Sequence, residues 1–116
     1  MKYMLLIFGD PAVYAATPPD RIEANMQAWF AFDERTRAAG VKLAGEALQP
    51  PETATTVQVR DGEVATTDGP FVETKEVLGG FYLLECPDLD AALEWARQIP
   101  SGMLETVEVR PVVEFA

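Results

Sequence analysis

The sequence predicts one α+β domain of βαββαβ order with an extra β-hairpin between the second and third strands. Three observations carry this. Two short runs, Tyr3–Phe8 and Phe81–Cys86, are apolar at successive positions and so belong to strands covered on both faces. Two segments carry apolar residues at helical spacing between cap and stop signals. Alternating segments around Asp61-Gly62 spell a hairpin. The length of 116 residues suits a single domain, and a hydrophobic content of 48% supplies a core and argues against disorder.

The first strand, Tyr3–Phe8, ends at the turn signal Gly9-Asp10-Pro11. Thr17-Pro18-Pro19-Asp20 opens the first helix, with Thr17 placed to cap, Pro18 at the first helical position and Asp20 as the acidic member of a capping box. That helix runs to about Ala39 and stops at Gly40, with Ile22, Met26, Trp29, Phe32 and Thr36 on one face. Asp33 lies on or beside this face. It is either a carboxylate satisfied at the edge of the stripe or a pocket carboxylate.

Val41–Leu48 is the second strand, closed by Pro50-Pro51. Thr55–Arg60 and Glu63–Thr67 form the hairpin, whose polar face puts it at the sheet edge or projecting from it. Asp68–Gly80 is a loop leading into Phe81–Cys86, which Pro87 ends. Asp88 caps the second helix, with Leu89, Ala92, Leu93, Ala96 and Ile99 as its stripe and Pro100 and Gly102 as its stop. Thr106–Arg110 is the last strand, and the following Pro111 fits an edge.

Without the hairpin this order is the ferredoxin-like βαββαβ arrangement, in which the first and third strands are central. Those two strands are the ones that read apolar on both faces. Both helices then cover one face of the sheet, and the other face carries apolar side chains that nothing in the chain covers. A second copy packed on that face, related by a twofold axis, is the expected cover.

Nineteen acidic residues against nine basic ones give a net charge of −10, which argues against nucleic acid and anionic membranes as partners. There is no histidine, so Ser-His-Asp and Cys-His catalysis and histidine metal sites are excluded. The single cysteine, Cys86, reads as an inert buried thiol and excludes a disulfide framework and a cysteine-rich zinc site. No metal or cofactor is expected. The N-terminal apolar run is too short for a signal-peptide core, which gives a cytoplasmic location as the expectation.

Thr67-Asp68-Gly69-Pro70-Phe71-Val72-Glu73-Thr74-Lys75-Glu76 followed by Gly79-Gly80-Phe81 resembles the signature of the DGPF proteins of the YCII-related family. The resemblance extends to Met1–Asp10, Ala38–Val41, Gly45–Leu48, Leu93–Ala96 and Val107–Val112, nearly the whole chain. It implies a dimeric α+β barrel built on the ferredoxin-like fold. Some members of the wider superfamily carry a His-Asp pair proposed as catalytic, and some act on chlorinated lactones; without histidine, that pair does not transfer to this chain. Other relatives are encoded beside or fused to extracytoplasmic-function sigma factors.

The candidate residues follow from charge and position. In the Asp68-Gly69-Pro70-Phe71 turn, Phe71 is placed to anchor the loop in the core, and Asp68 is either a general base or an Asx-turn residue. Glu73 is a second catalytic candidate. Lys75 stands beside it, and Arg110 is placed to hold an anionic group, so that the set surrounds one small polar or anionic ligand. Clustered loop charges also fit a solvated surface. Asp33 and Tyr82 are further ligand-binding candidates. Glu46 and Arg110, in mid-strand, are each a candidate partner for the other. Two functions are compatible with these features. One is a cofactor-free small-molecule enzyme using carboxylate acid–base chemistry near the DGPF loop. The other is a non-catalytic binding or regulatory domain, linked to a sigma factor.

Overall fold

The first strand lies inside its sheet because its neighbours bond it from both sides. In the computed structural model, which describes residues 1–100, 102–103 and 105–115, β1 (Lys2–Gly9) pairs antiparallel with β5 (Val77–Glu85) and with β6 (Thr106–Pro111). β2 (Lys42–Ala47) adds to the far side of β5, so the sheet order is β2-β5-β1-β6. The two strands that read apolar on both faces are the central pair, and Pro111 sits on an edge strand. The order and the antiparallel pairing are compatible with a ferredoxin-like layout.

β3 (Thr55–Arg60) and β4 (Glu63–Asp68) pair only with each other, in a separate two-stranded sheet. Their turn places Asp61 at φ 51° and Gly62 at φ 80°, the left-handed pair that a two-residue hairpin demands. One face of the ribbon leaves Val57, Val59 and Val64 exposed. The radius of gyration is 16.3 Å, above the roughly 13 Å of a compact domain of this length.

Three helices complete the fold: α1 (Pro11–Ala16), α2 (Pro19–Ala38) and α3 (Leu89–Ala96). α1 corrects the reading of Asp10-Pro11 as a bare turn. The Asp10 carboxylate accepts from the Ala12 amide at 2.9 Å and Pro11 fills the first position, so the pair starts a helix. Thr17 therefore does not cap α2. It closes α1, its hydroxyl donating to the Val13 carbonyl at 2.6 Å, and α2 begins after Pro18 with no side-chain cap. Asp88 caps α3 as expected, accepting from the Ala91 amide at 2.9 Å. Gly40 ends α2 at φ 72°.

The core lies between the helices and one face of the sheet. Tyr3, Leu5 and Ile7 of β1 and Leu84 of β5 meet Phe32 of α2 and Ala92 of α3, with Cys86 and Ile99 at the margins. Phe32 is fully buried and takes the edges of Trp29, Tyr82 and Trp95 at ring distances of 5.8, 5.2 and 6.3 Å. Met26 departs from the expected stripe and is exposed, and so is Leu89 in α3. Leu89 is the first residue of its helix, where the stripe runs off the sheet. The alternate residues Met4, Leu6, Phe8, Phe81 and Leu83 point to the opposite face, where they are only partly buried.

Candidate functional site

The helix-side face of the sheet is not filled along its whole length. At the end formed by β2, the start of β5 and the end of β1, an open cleft of about 830 Å³ separates the strands from α1 and α2. Two glycines help to open it. A Cβ on Gly80 would stand 2.7 Å from the Glu46 carbonyl oxygen, so only glycine lets β2 approach β5 there. A Cβ on Gly45 would stand 3.1 Å from the Lys42 side chain and 3.4 Å from the Tyr82 ring. Its absence leaves those two side chains room on the cleft wall.

Asp33 is the polar centre of that wall. Its Oδ1 accepts from Lys42 Nζ at 2.5 Å and from the Tyr82 hydroxyl at 2.9 Å, and its Oδ2 accepts from Arg37 Nε at 2.6 Å. The arrangement is built locally. Asp33 and Arg37 are one helical turn apart. Gly40 turns the chain back, and the Val41 amide bonds the Thr36 carbonyl at 3.1 Å, which sets the first residues of β2 beside the last turns of α2. Tyr82 comes from β5, opposite Gly45. The Lys42 ammonium also sits 5.0 Å from the Tyr82 ring centroid, and Trp29 stacks on that ring at 6.1 Å.

Lys42, with help from Arg37 and Tyr82, holds the Asp33 carboxyl down at about 2 against the cost of burial. Burial and the bonded carboxylate push the Tyr82 hydroxyl well above the usual tyrosine range. Asp33 is thus a fixed anion and Tyr82 a fixed neutral donor. A carboxylate whose pKa falls on folding stabilises the fold above its unfolded value, and that gain is lost as pH falls toward the folded value. The drop from 3.8 to about 2 corresponds to about 2 kcal/mol after allowance for partial exposure, lost between roughly pH 5 and pH 2. Urea unfolding should therefore show the gap between the parent protein and Asp33→Asn narrowing by about that amount from pH 6 to pH 2.

Of the residues singled out in the sequence, Asp33 and Tyr82 line the cleft and bond each other. Asp68, Glu73, Lys75 and Arg110 do not line it, and all four are exposed. Phe71 does not anchor its loop. It is 72% exposed, because the turn is tied instead through backbone: the Gly69 amide donates to the Ala54 carbonyl at 2.7 Å and the Thr56 hydroxyl donates to the Gly69 carbonyl at 2.7 Å. No side-chain hydrogen bond from Asp68 is present among the described residues. Asp68→Ala should accordingly change unfolding free energy by less than about 0.5 kcal/mol in urea titrations. Arg110 and Glu46 are not partners. They lie on the two outer strands, about 14 Å apart across the sheet, and Arg110 faces Glu108 at 3.9 Å instead.

Cys86 is buried, and burial raises its thiol pKa, so it is no nucleophile. No group of three or more His, Cys, Asp or Glu side chains able to hold a metal occurs among the described residues. No helix of the described residues is long and apolar enough to cross a membrane.

The family model for the YCII-related domain matches residues 1–116. The chain belongs to the YCII-related family. A protein of Rhizobium meliloti (strain 1021), named only as uncharacterised, is 37% identical over 117 residues that take in 99% of this chain and 94% of the relative. The name of that relative states no activity.

Lys42, Arg37, Gly45 and Glu105 are the cleft and network residues that the sequence did not single out. The i, i+4 spacing of Asp33 and Arg37 was a readable signal. Lys42 carried none, since a lone lysine at the start of a strand is ordinarily a solvated edge residue.

Proposed function

We propose that this YCII-related chain is a small-molecule-binding domain whose ligand enters the cleft between β2, β5 and α2. The observation that carries this reading is the cleft itself, a concave site with apolar and aromatic walls and one convergent polar cluster at Asp33. Binding fits its polar groups better than acid–base turnover does. A general acid or base works best when its pKa lies near the working pH, whereas Asp33 is held at about 2 and Tyr82 is held protonated.

The working form in this reading is a homodimer. Its support is the second face of the sheet, where Met4, Leu6, Phe8, Phe81 and Leu83 remain only partly buried in one copy. A self-complementary twofold contact would cover them. A cytoplasmic location goes with the reading, since Cys86 is a free thiol.

Native mass spectrometry of freshly purified protein tests both parts. The expected spectrum is a dimer carrying a small additional mass, or a bare dimer that takes up neutral aromatic fragments. A monomer would contradict the sheet-face dimer. A protein that takes up no fragment would contradict the binding reading.

A further inference from the structure

We infer that the cleft takes an uncharged compound with an apolar body and one carbonyl group, and that the Lys42 ammonium donates to that carbonyl. This inference rests on the binding reading above and adds the chemical class of the ligand. Lys42 lines the cleft, with 11% of its side chain exposed. An ammonium carries three N–H donors. Among the described residues the one acceptor they meet is the Asp33 Oδ1. The Tyr82 ring, with its centroid 5.0 Å away, takes a share of the charge without being a full acceptor. A nearly buried donor without an acceptor is unfavourable, and an oxygen arriving with a ligand removes the deficit. The Tyr82 hydroxyl already gives its one proton to Asp33, so the donor role falls to Lys42.

The charges already placed at this point select an oxygen that carries none. Asp33 balances Lys42 from 2.5 Å. An anionic acceptor would stand beside the Asp33 carboxylate, which shares the same ammonium, on a molecule of net charge −10. Arg37, the second cation on Asp33, does not line the cleft, and water screens its exposed side chain. A cationic ligand would meet the Lys42 ammonium, while Asp33 already accepts from three donors. A carbonyl oxygen accepts a charge-assisted bond and meets neither repulsion.

The apolar walls suit the rest of such a molecule. Tyr14, Phe30 and Leu48 line the cleft yet are exposed, so an apolar body lying against them would remove that surface from water. Trp29 adds an aromatic wall. The cleft volume of about 830 Å³ lies within the range of small-molecule sites.

Four probes built on one phenyl ring separate the classes: acetophenone, α-methylstyrene (a methylene in place of the carbonyl oxygen), benzoate and benzylamine. Each is titrated at low salt while backbone amide shifts are followed by NMR. Acetophenone is expected to shift cleft residues, and the two ions not to saturate. In Lys42→Met the affinity ratio of acetophenone to α-methylstyrene should fall about tenfold while α-methylstyrene still binds, which also shows that the variant is folded. The parent protein gives a second readout that needs no variant. The isotope-labelled carbonyl carbon of acetophenone should stay at or downfield of its position in water when bound, whereas a carbonyl without a donor moves upfield. If the ratio holds in Lys42→Met, if the labelled carbon moves upfield, or if benzoate or benzylamine binds as tightly as acetophenone, the carbonyl inference is overturned and the binding reading stands. If no probe moves cleft signals, the binding reading fails and takes this inference with it.

Discussion

Phe32→Ala is expected to lower the unfolding free energy by about 4 kcal/mol, a large share of the total for a domain of this size. Phe32 is 0% exposed and sits where α2 meets the sheet. Its ring takes edge contacts from Trp29, Tyr82 and Trp95, side chains of three different elements or turns that rely on it for their own placement. Truncation removes the transfer energy of a buried ring, forfeits those aromatic contacts and leaves a void that stiff neighbours cannot fill. Phe30, two residues earlier on the same helix, is the control. It is 60% exposed, and Phe30→Ala should shift stability by about 0.5 kcal/mol or less. Urea unfolding of the two variants gives the comparison directly. Similar losses in both would mean that α2 is rotated from the orientation described.

Asp33→Ala should cost about 3 kcal/mol, more than most single polar truncations, because of what it leaves behind. The Lys42 side chain is only 11% exposed, and without Asp33 its ammonium has no ion-pair partner among the described residues. The Tyr82 hydroxyl loses its acceptor at the same time. Arg37 loses a partner too, but its side chain is 65% exposed and water replaces the carboxylate. Arg37→Ala should therefore cost less than about 0.5 kcal/mol. Adding Lys42→Met to Asp33→Ala should recover most of the loss, since the stranded charge is then gone. A double-mutant cycle in urea reads all of this. Equal costs for Asp33→Ala and Arg37→Ala, or no recovery in the double variant, would contradict the ion pair as the source of the effect.

The core of the fold was legible because burial writes itself into the sequence with the period of each element. β1 and β5 are apolar at successive positions, which only a central strand tolerates, and they occupy the centre of the β2-β5-β1-β6 sheet. Local signals misled where one residue type serves two purposes. Asp10-Pro11 reads equally as a turn or as a helix start, and the choice lies with the Asp10 carboxylate, which reaches the Ala12 amide. Thr17 suits a helix N-terminus by type, yet its hydroxyl bonds backward to Val13. Phe71 looked like an anchor because aromatic residues are usually buried, but its turn is held through backbone bonds and needs no anchor.

The site was harder to read. The charges that drew attention are close in sequence, with Asp68 exposed at the end of β4 and Glu73 and Lys75 in the exposed segment after it. The charges that meet in the cleft are far apart in sequence. Asp33 and Tyr82 are 49 positions apart and touch because α2 lies over β5, and Lys42 joins them because β2 pairs with β5 in a register that shifts between Lys42 and Ala44. Such an irregularity changes which side chains share a face, and no pattern in a single sequence reports it.

The most direct test of the cleft as a binding site is amide shift mapping by NMR with a library of small neutral and charged fragments. The expected result is a set of shifts clustered on Trp29, Asp33, Gly45 and Tyr82, with the turn from Asp68 to Lys75 unmoved. Shifts confined to that turn or to the Met4, Leu6 and Phe8 face of the sheet, with the cleft silent, would contradict it.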